Sequence, residues 1–189
     1  MNDDTPTTKA AIIERNRRAA AAMNAALGRL TRDQLLAPGA VGEWSLRDTL
    51  SHIGNHWFPT QIEAYLAGRD PTPLEAWGTE EAPGPEVDMS TNDGRNAWLH
   101  AIHRDRPLPQ VRERYIRFLE RMDRLIEALP ESEFATPYAI VDFGWVGRVR
   151  PAQEGEQGFP LWQWIRGDYW HHLEDHLPAF EAAAGSGEA

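Results

Sequence analysis

Apolar side chains recur along much of the chain with the three-to-four-residue spacing of amphipathic helices. The clearest example runs from Pro109 to Leu129, where one stripe is apolar and the other faces carry charge. Ala10 to Leu30 is rich in alanine and has no proline and no glycine before Gly28, which is typical of a long helix. These two segments are therefore predicted as long helices. The apolar stripe of the Pro109–Leu129 segment consists of Val111, Tyr115, Phe118, Met122, Leu125, Ile126 and Leu129.

Two short motifs predict where further helices begin. Thr31-Arg-Asp-Gln34 and Ser45-Leu-Arg-Asp48 have the spacing of a capping box, in which the first side chain accepts from an early backbone N–H. The first motif predicts a short helical turn. The second predicts a helix that runs to about Gly68 and kinks near Phe58, because the next residue is a proline. A last helix is predicted over 160–184, with a proline in its first turn.

The segments that connect these helices contain most of the helix-breaking residues. Residues 69–89 hold four prolines and six acidic residues and are predicted as a loop, followed by a short helix over 90–104. Residues 131–158 are predicted to be irregular, with no sheet larger than a two-stranded ribbon. Four long helices without a strong strand pattern predict an all-α four-helix bundle. The roughly 40 residues between its second and third helices are long enough for a crossover along the bundle.

Composition narrows the class of protein. The chain has 189 residues, which predicts one domain over 10–184, with a disordered N-terminus over 1–9 and a flexible tail over 185–189. Nineteen basic and 29 acidic residues give a net charge of −10, which disfavours nucleic acids and anionic membranes. The absence of cysteine excludes disulfides and thiolate chemistry. No apolar run approaches the roughly 20 residues of a membrane helix, and no signal peptide is apparent, so a cytoplasmic protein is expected.

Histidine carries the strongest chemical signal. His172 and His176 are four residues apart and therefore lie one turn apart on the core-facing stripe of the last helix. Neutral imidazoles presented in this way can chelate a transition metal, or they can be hydrogen-bonded core residues; spacing alone does not decide. Asp168 lies one turn before His172 and is a candidate catalytic base or partner of the imidazole. Its alternative role is purely electrostatic, as an acid in the first half of the helix.

The second helix has a polar face whose role the spacing leaves open. Asp48, His52, Asn55 and Glu63 lie opposite its apolar stripe, with His56 beside them. This face is either solvated or lines a polar cavity against the last helix. Aromatic residues near both helices can wall a small-molecule pocket or fill the core. The candidates for substrate contact are Trp44, Trp57 and Tyr169.

Three segments carry a family resemblance that covers residues 10–182. Trp44-Ser-Leu-Arg-Asp48-Thr-Leu-Ser-His52-Ile53 resembles the second-helix signature of the DinB-like superfamily, also known as the YfiT-type metal-dependent hydrolases. Tyr169-Trp-His-His172-Leu-Glu-Asp-His176-Leu resembles the closing His-x-x-x-His helix of that superfamily. The stretch from Asn96 to Leu108, with the helix that follows, resembles the linker and third helix of the ClbS/DfsB-type branch.

The resemblance implies a fold, a site and a class of activity. The implied fold is a four-helix bundle with a long crossover, and the implied ligands of a divalent ion, zinc or nickel, are His52, His172 and His176; His56 and His171 are further candidates. The implied activity is that of a metal-dependent hydrolase or transferase acting on an electrophilic small molecule. In this branch it is self-resistance by hydrolysis of a reactive natural product. The alternatives are a non-catalytic protein of the same fold that sequesters such a compound, and a helical dimerisation module, so a homodimer is also considered.

Overall fold

Four helical segments form the body of the protein in the computed structural model, which describes residues 6–141 and 148–186. The first is a single helix, the second and fourth are each broken into two helices, and the third is again single. The all-α bundle predicted from the sequence is confirmed. The helices are α1 (Lys9–Arg29), α2 (Arg32–Leu36), α3 (Leu46–Ile53), α4 (Trp57–Leu66), α5 (Pro73–Trp77), α6 (Asn92–His103), α7 (Leu108–Ala128), α8 (Leu161–Asp168) and α9 (Trp170–Gly185).

Both predicted capping boxes are present. The Thr31 hydroxyl accepts from the backbone N–H of Gln34, and the Gln34 side chain accepts from the backbone N–H of Thr31. Ser45 and Asp48 make the same reciprocal pair at the start of α3, at 3.2 and 3.0 Å. These bonds stabilise the helix starts because they satisfy backbone N–H groups that have no partner inside the helix. Both helix starts predicted from the capping motifs are confirmed.

The long crossover between the second and third bundle helices is also confirmed. α3 and α4 run in the same direction as α7, since Gly54 packs against Tyr115 while Glu63, further along, pairs with Arg121. Parallel neighbours require a connection that returns along the bundle, and residues 67–107 provide it. α1 packs against α9 and α7, and α3 packs against α7 and α9.

The second bundle helix breaks earlier than predicted. α3 ends at Ile53, and α4 begins at Trp57. The backbone N–H of Trp57 donates to Asn55 Oδ1 at 3.1 Å. The break falls where Gly54 lies against α7: a Cβ at this position would be 3.2 Å from the backbone of Tyr115. Pro59 lies in the first turn of α4, where a missing N–H costs no helical hydrogen bond. The expected kink near Phe58 is therefore wrong, and the break lies at residues 54–56.

The predicted last helix is also two helices. Tyr169 separates α8 from α9 with φ −126° and ψ −96°, values outside the helical range. Hydrogen bonds nevertheless cross the break, from Tyr169 N to Ile165 O at 3.0 Å and from Leu173 N to Tyr169 O at 2.9 Å. The two helices therefore follow one another closely, and Asp168 and His172 stay near each other despite the interruption.

A small sheet replaces the predicted irregular segment. Strands β1 (Pro137–Val141), β2 (Arg148–Pro151) and β3 (Phe159–Pro160) form an antiparallel sheet in the order β2-β1-β3. The expectation of at most a two-stranded ribbon is therefore wrong. The sequence does not reveal the third strand, because β3 has only two residues and is too short to show an alternating pattern. Positions 142–147 of the segment predicted to be irregular lie outside the described residues, as do positions 1–5 and 187–189 of the predicted flexible ends.

The crossover carries structure of its own. Within the predicted loop, α5 begins at a third capping box, formed by Thr72 and Glu75. α6 packs against α3, and a small second core joins this part of the chain together. Its buried members are Ala76, Trp77, Met89, Trp98 and Leu99. Among the described residues, no helix is both long and apolar enough to cross a membrane.

Candidate metal centre

Three histidines from two helices meet inside the bundle. His52 comes from the last turn of α3, and His172 and His176 come from α9. One ring nitrogen from each lies within 4.8 Å of the other two, and His52 Nε2 is 2.8 Å from His172 Nε2. The ring centroids of His172 and His176 are 5.1 Å apart. The structure thus brings together the three residues that the resemblance implies as ligands.

Neighbouring contacts hold both helices in place around this cluster. The capping box of Ser45 fixes the start of α3, and the Trp44 ring meets the ring of His52 edge-on with centroids 5.4 Å apart. On α9, Glu174 lies between the two histidines in sequence and accepts two hydrogen bonds from Arg15, at 2.6 and 2.8 Å. This bidentate pair ties α9 to α1.

Burial keeps the three imidazoles neutral. It lowers the pKa of His52 to about 4, with a further contribution from His176, and it lowers the pKa of His172 well below the usual 6.5. The pKa of His176 is lowered for the same reason, partly offset by Asp175. Neutral imidazoles have a free nitrogen lone pair at neutral pH, which is the form that binds metal ions.

The donor set fits a divalent transition metal. Three imidazole nitrogens within 4.8 Å of one another are a ligand set common in zinc enzymes, and they leave positions free for water or substrate. The second nitrogen of His52, Nδ1, is buried and has no hydrogen-bond partner in the described part of the chain. Within residues 6–141 and 148–186, the hydrogen-bonding contact of His52 Nε2 and of His172 Nε2 is with each other.

The two further candidate ligands lie elsewhere. His56 Nε2 is 3.3 Å from the carbonyl oxygen of Arg114, and its Nδ1 is 3.4 Å from Arg121, so its ring faces α7. His171 faces the surface, 44% exposed, with Nε2 3.4 Å from Asp175. Neither ring belongs to the three-histidine cluster.

A cleft of about 510 Å³ opens beside the cluster. His52 and His172 are part of its wall, so a molecule in the cleft can reach two of the three imidazoles. The rest of the wall combines tryptophan, aliphatic and asparagine side chains with Arg95 and Asp168, and this mixture suits a small organic ligand. Other lining residues are Trp57, Trp77, Trp164, Leu99, Asn55 and Asn96.

Asp168 lies on the wall of the same cleft. Burial raises the pKa of its carboxyl to about 7, so the group exchanges a proton near neutral pH. Among the described residues it has no hydrogen bond, to His172 or to any other group, so it does not fix the imidazole in the way considered from the sequence. A carboxyl with a pKa near the working pH can act as a general acid or base.

The three aromatic candidates have different surroundings. Trp57 lines the cleft, with its ring centroid 5.7 Å from that of Trp77. Trp44 stacks on His100 at 5.2 Å, beside His52 but outside the cleft wall. Tyr169 is fully buried and its hydroxyl donates to Asp123 at 3.0 Å, so its ring belongs to the core and not to the cleft. Sequence reasoning missed Trp77 and Asn96, which come from the crossover.

The polar face of the second bundle helix is divided among several neighbours. His52 and Asn55 face the cleft, whereas Glu63 pairs with Arg121 of α7 at 2.6 Å. Asp48 is part of the capping box, and His100 of α6 lies 3.6 Å from it. The face is therefore not a simple solvated surface.

The fold and the site together define a helical-bundle protein with a candidate three-histidine metal centre. The chain belongs to the DinB superfamily, whose sequence model matches residues 15–156. It is also similar to the crystal structure of an uncharacterised protein from Escherichia coli UTI89, with a TM-score of 0.62 and 12% identity. That match covers 97% of this chain and 96% of the other, and at this identity it shows the fold alone. Comparison with curated proteins gives no match.

Proposed function

We propose that the protein is a metal-dependent hydrolase or transferase that acts on an electrophilic small molecule bound in the cleft. The observation that carries this proposal is the common opening of the histidine cluster and Asp168 onto one cavity of about 510 Å³. A purely structural cluster would have no need of an adjacent cleft or of a carboxyl with a pKa near 7.

Each part of the site has a role in this proposal. His52, His172 and His176 hold a divalent ion, zinc or nickel, which when bound supplies a Lewis acid and lowers the pKa of a water molecule. Asp168 accepts a proton from the attacking water. In hydrolysis of a strained ring, the water oxygen bonds to the electrophilic carbon, the ring bond to that carbon breaks, and the proton passes to the leaving atom. The tryptophans of the cleft wall exclude bulk water and contact the apolar part of the substrate.

A narrower version of the proposal concerns the biological role. The stretch from Asn96 to Leu108, with the helix that follows, resembles the ClbS/DfsB-type branch, which suggests self-resistance by hydrolysis of a reactive natural product. The three tryptophans and the aliphatic residues of the cleft wall support a substrate of this kind. It equally suits a protein that sequesters the compound, so turnover has to be measured.

Metal uptake is the first test. After dialysis against zinc or nickel and removal of excess ion, wild type should retain about one ion per chain, and His52→Ala and His172→Ala should retain none. His56→Ala and His171→Ala are matched controls that should retain it, since both rings lie outside the cluster. If wild type remains metal-free under saturating zinc, the metal-dependent proposal is wrong and a metal-independent or sequestering protein takes its place.

Turnover is the second test. The metal-loaded protein is mixed with a panel of epoxide and other strained-ring electrophiles, and product is counted per chain. Many products per chain support an enzyme, and Asp168→Asn should then lower kcat about 100-fold or more. Consumption that stops at one molecule per chain supports sequestration and contradicts catalysis.

A further inference from the structure

A second, smaller cavity lies between α3, α6 and α7. Its volume of about 10 Å³ holds one group the size of a water molecule. Several polar atoms of its lining residues are buried and have no hydrogen-bond partner in the described ranges 6–141 and 148–186. They are Ser51 Oγ, His52 Nδ1, both ring nitrogens of His103, and Arg114 Nε. Unpartnered buried polar atoms are rare in proteins, and several at one cavity point to a ligand.

The charge around this cavity is positive and not neutralised. Arg114 lines the cavity, and Arg106 lies near Arg114 but outside the lining. Among the described residues no carboxylate pairs with either arginine, and Arg106 Nη1 is buried without a partner. Burial, together with the charge of Arg106, lowers the pKa of Arg114 to about 10. Burial and the same two arginines lower the pKa of His103 to about 4. Buried cations are normally paired, so two adjacent unpaired guanidinium groups are unusual.

The one acidic residue in the lining does not change this balance. Asp48 accepts hydrogen bonds from Ser45 through Oδ2, at 2.6 Å from the hydroxyl, and from Arg47 through Oδ1 at 2.7 Å. The negative charge of Asp48 is therefore balanced by Arg47 at the start of α3. Some partly buried arginines elsewhere have acidic partners, as Arg121 has Glu63. Arg106 and Arg114 have none among the described residues.

We propose that Arg114, His103 and Ser51 form a binding site for a small anion in this cavity, to which the nearby Arg106 contributes positive charge. The size admits a single acceptor atom, which is either a halide ion or one oxygen of a carboxylate. Guanidinium N–H groups, a neutral imidazole N–H and the Ser51 hydroxyl are donors, and they match the lone pairs of such an atom. This proposal does not depend on the histidine cluster binding metal.

The anion can be free in solution, or it can be the carboxylate of a ligand that extends from the cleft. His52, Asn55, Asn96 and Leu99 line both cavities, so the two lie side by side. A free anion needs only the smaller cavity. A ligand carboxylate would have an apolar remainder against the tryptophans of the cleft.

Thermal unfolding in the presence of anions tests the proposal. The protein is titrated with sodium chloride or sodium acetate at constant ionic strength, with methanesulfonate, which has no carboxylate, as the balancing anion. An anion that binds the folded state raises Tm by about 4 °C at ten times its Kd. Arg114→Met should abolish this rise, whereas Arg112→Met, an exposed arginine on the same helix, should keep it. Equal Tm for all anions in wild type, or loss of the rise in both variants, would overturn the proposal.

Two further measurements complete the test. If Arg114→Met does not fold, crystals of wild type soaked in sodium bromide should show an anomalous peak beside Arg114 and His103, and its absence would overturn the proposal. To distinguish a free anion from the carboxylate of a ligand in the cleft, the affinity for 3-phenylpropionate is compared with the affinity for acetate. At least tenfold tighter binding, lost in Trp57→Ala, assigns the site to a ligand in the cleft; equal affinities assign it to a free anion.

Discussion

His52 and His172 lie with their Nε2 atoms 2.8 Å apart, although 120 residues separate them in the chain. The contact joins the second bundle helix to the last one, and both imidazoles are neutral because burial lowers their pKa values. In the metal-free protein, one ring must donate its Nε2 proton to the other for this distance to be favourable. A divalent ion bound by the two rings would take the place of that proton, so metal and protons would compete for the same Nε2 lone pairs.

Acid should destabilise the fold through buried histidines outside the cluster as well. Burial, with Arg114 and Arg121 nearby, lowers the pKa of His56 to about 4, below the roughly 6.5 of the unfolded chain. Between these values the unfolded state binds the extra proton, so stability is present above pH 6.5 and falls as pH drops toward 4. His56→Gln should reduce this slope by about 1.4 kcal/mol per pH unit.

Urea unfolding of wild type and His56→Gln at pH 7, 6 and 5 measures the difference. Between pH 7 and 8 the two proteins should show the same dependence on pH, because His56 is then neutral in both states. An unchanged slope between pH 6 and 5 would show that His56 is protonated in the folded protein.

Asp168→Asn should stabilise the protein at alkaline pH. Burial raises the folded pKa of Asp168 to about 7, above the roughly 3.9 of the unfolded chain, so the folded state binds more protons between these values. The stability it contributes is present below pH 4 and is lost as pH rises through 7. Asparagine carries no charge, so the variant should be more stable than wild type by about 1–3 kcal/mol at pH 8. Urea midpoints at pH 8 and pH 4 test this, and a less stable variant at pH 8 contradicts it.

Two glycine substitutions should have opposite effects. A Cβ at Gly54 would lie 3.2 Å from the backbone of Tyr115, so Gly54→Ala forces α3 away from α7 and should cost about 1–3 kcal/mol. Gly28 is in α1 and a Cβ there meets nothing within 4 Å, so Gly28→Ala should gain about 0.5–1 kcal/mol. Chemical denaturation of the two variants side by side measures both changes. Similar effects would mean that the close approach of Gly54 to α7 has no energetic importance.

The two capping boxes should differ in their contribution to stability. Ser45 is 4% exposed, and its hydroxyl also donates to Asp48 at 2.6 Å, so Ser45→Ala leaves a buried carboxylate short of a partner. We expect a loss of about 1–2 kcal/mol. Thr31 is exposed, and Thr31→Ala should cost about 0.5–1 kcal/mol. Thermal unfolding of both variants provides the comparison, and a larger loss for Thr31→Ala would reverse the expected order.

Local sequence patterns predicted the helix starts well and the interruptions poorly. The capping boxes at Thr31 and Ser45 depend on residues three positions apart, so the chain itself specifies them. The break after α3 depends on how closely Gly54 approaches α7, a tertiary contact that no local pattern reports. The break at Tyr169 has no sequence signal, since neither glycine nor proline stands there.

The candidate site, too, could be predicted only in part from local sequence patterns. The pair His172 and His176 follows from helical periodicity, but the direction of His52 depends on packing of α3 against α9. Spacing could not distinguish His52 from His56, because both lie on the polar side of one predicted helix. The break at Gly54 separates them, and His56 consequently faces Arg114.

The long crossover of residues 67–107 divides the wall of the cleft between two parts of the chain. The bundle helices α3 and α9 hold the three histidines, whereas Trp77, Asn96 and Leu99 of the cleft wall come from the crossover. A substitution at Trp77 would therefore change the shape of the cleft while leaving the residues of α3 and α9 unchanged. Under the proposed function, this one segment is the place where a different ligand preference would arise beside the same three imidazoles.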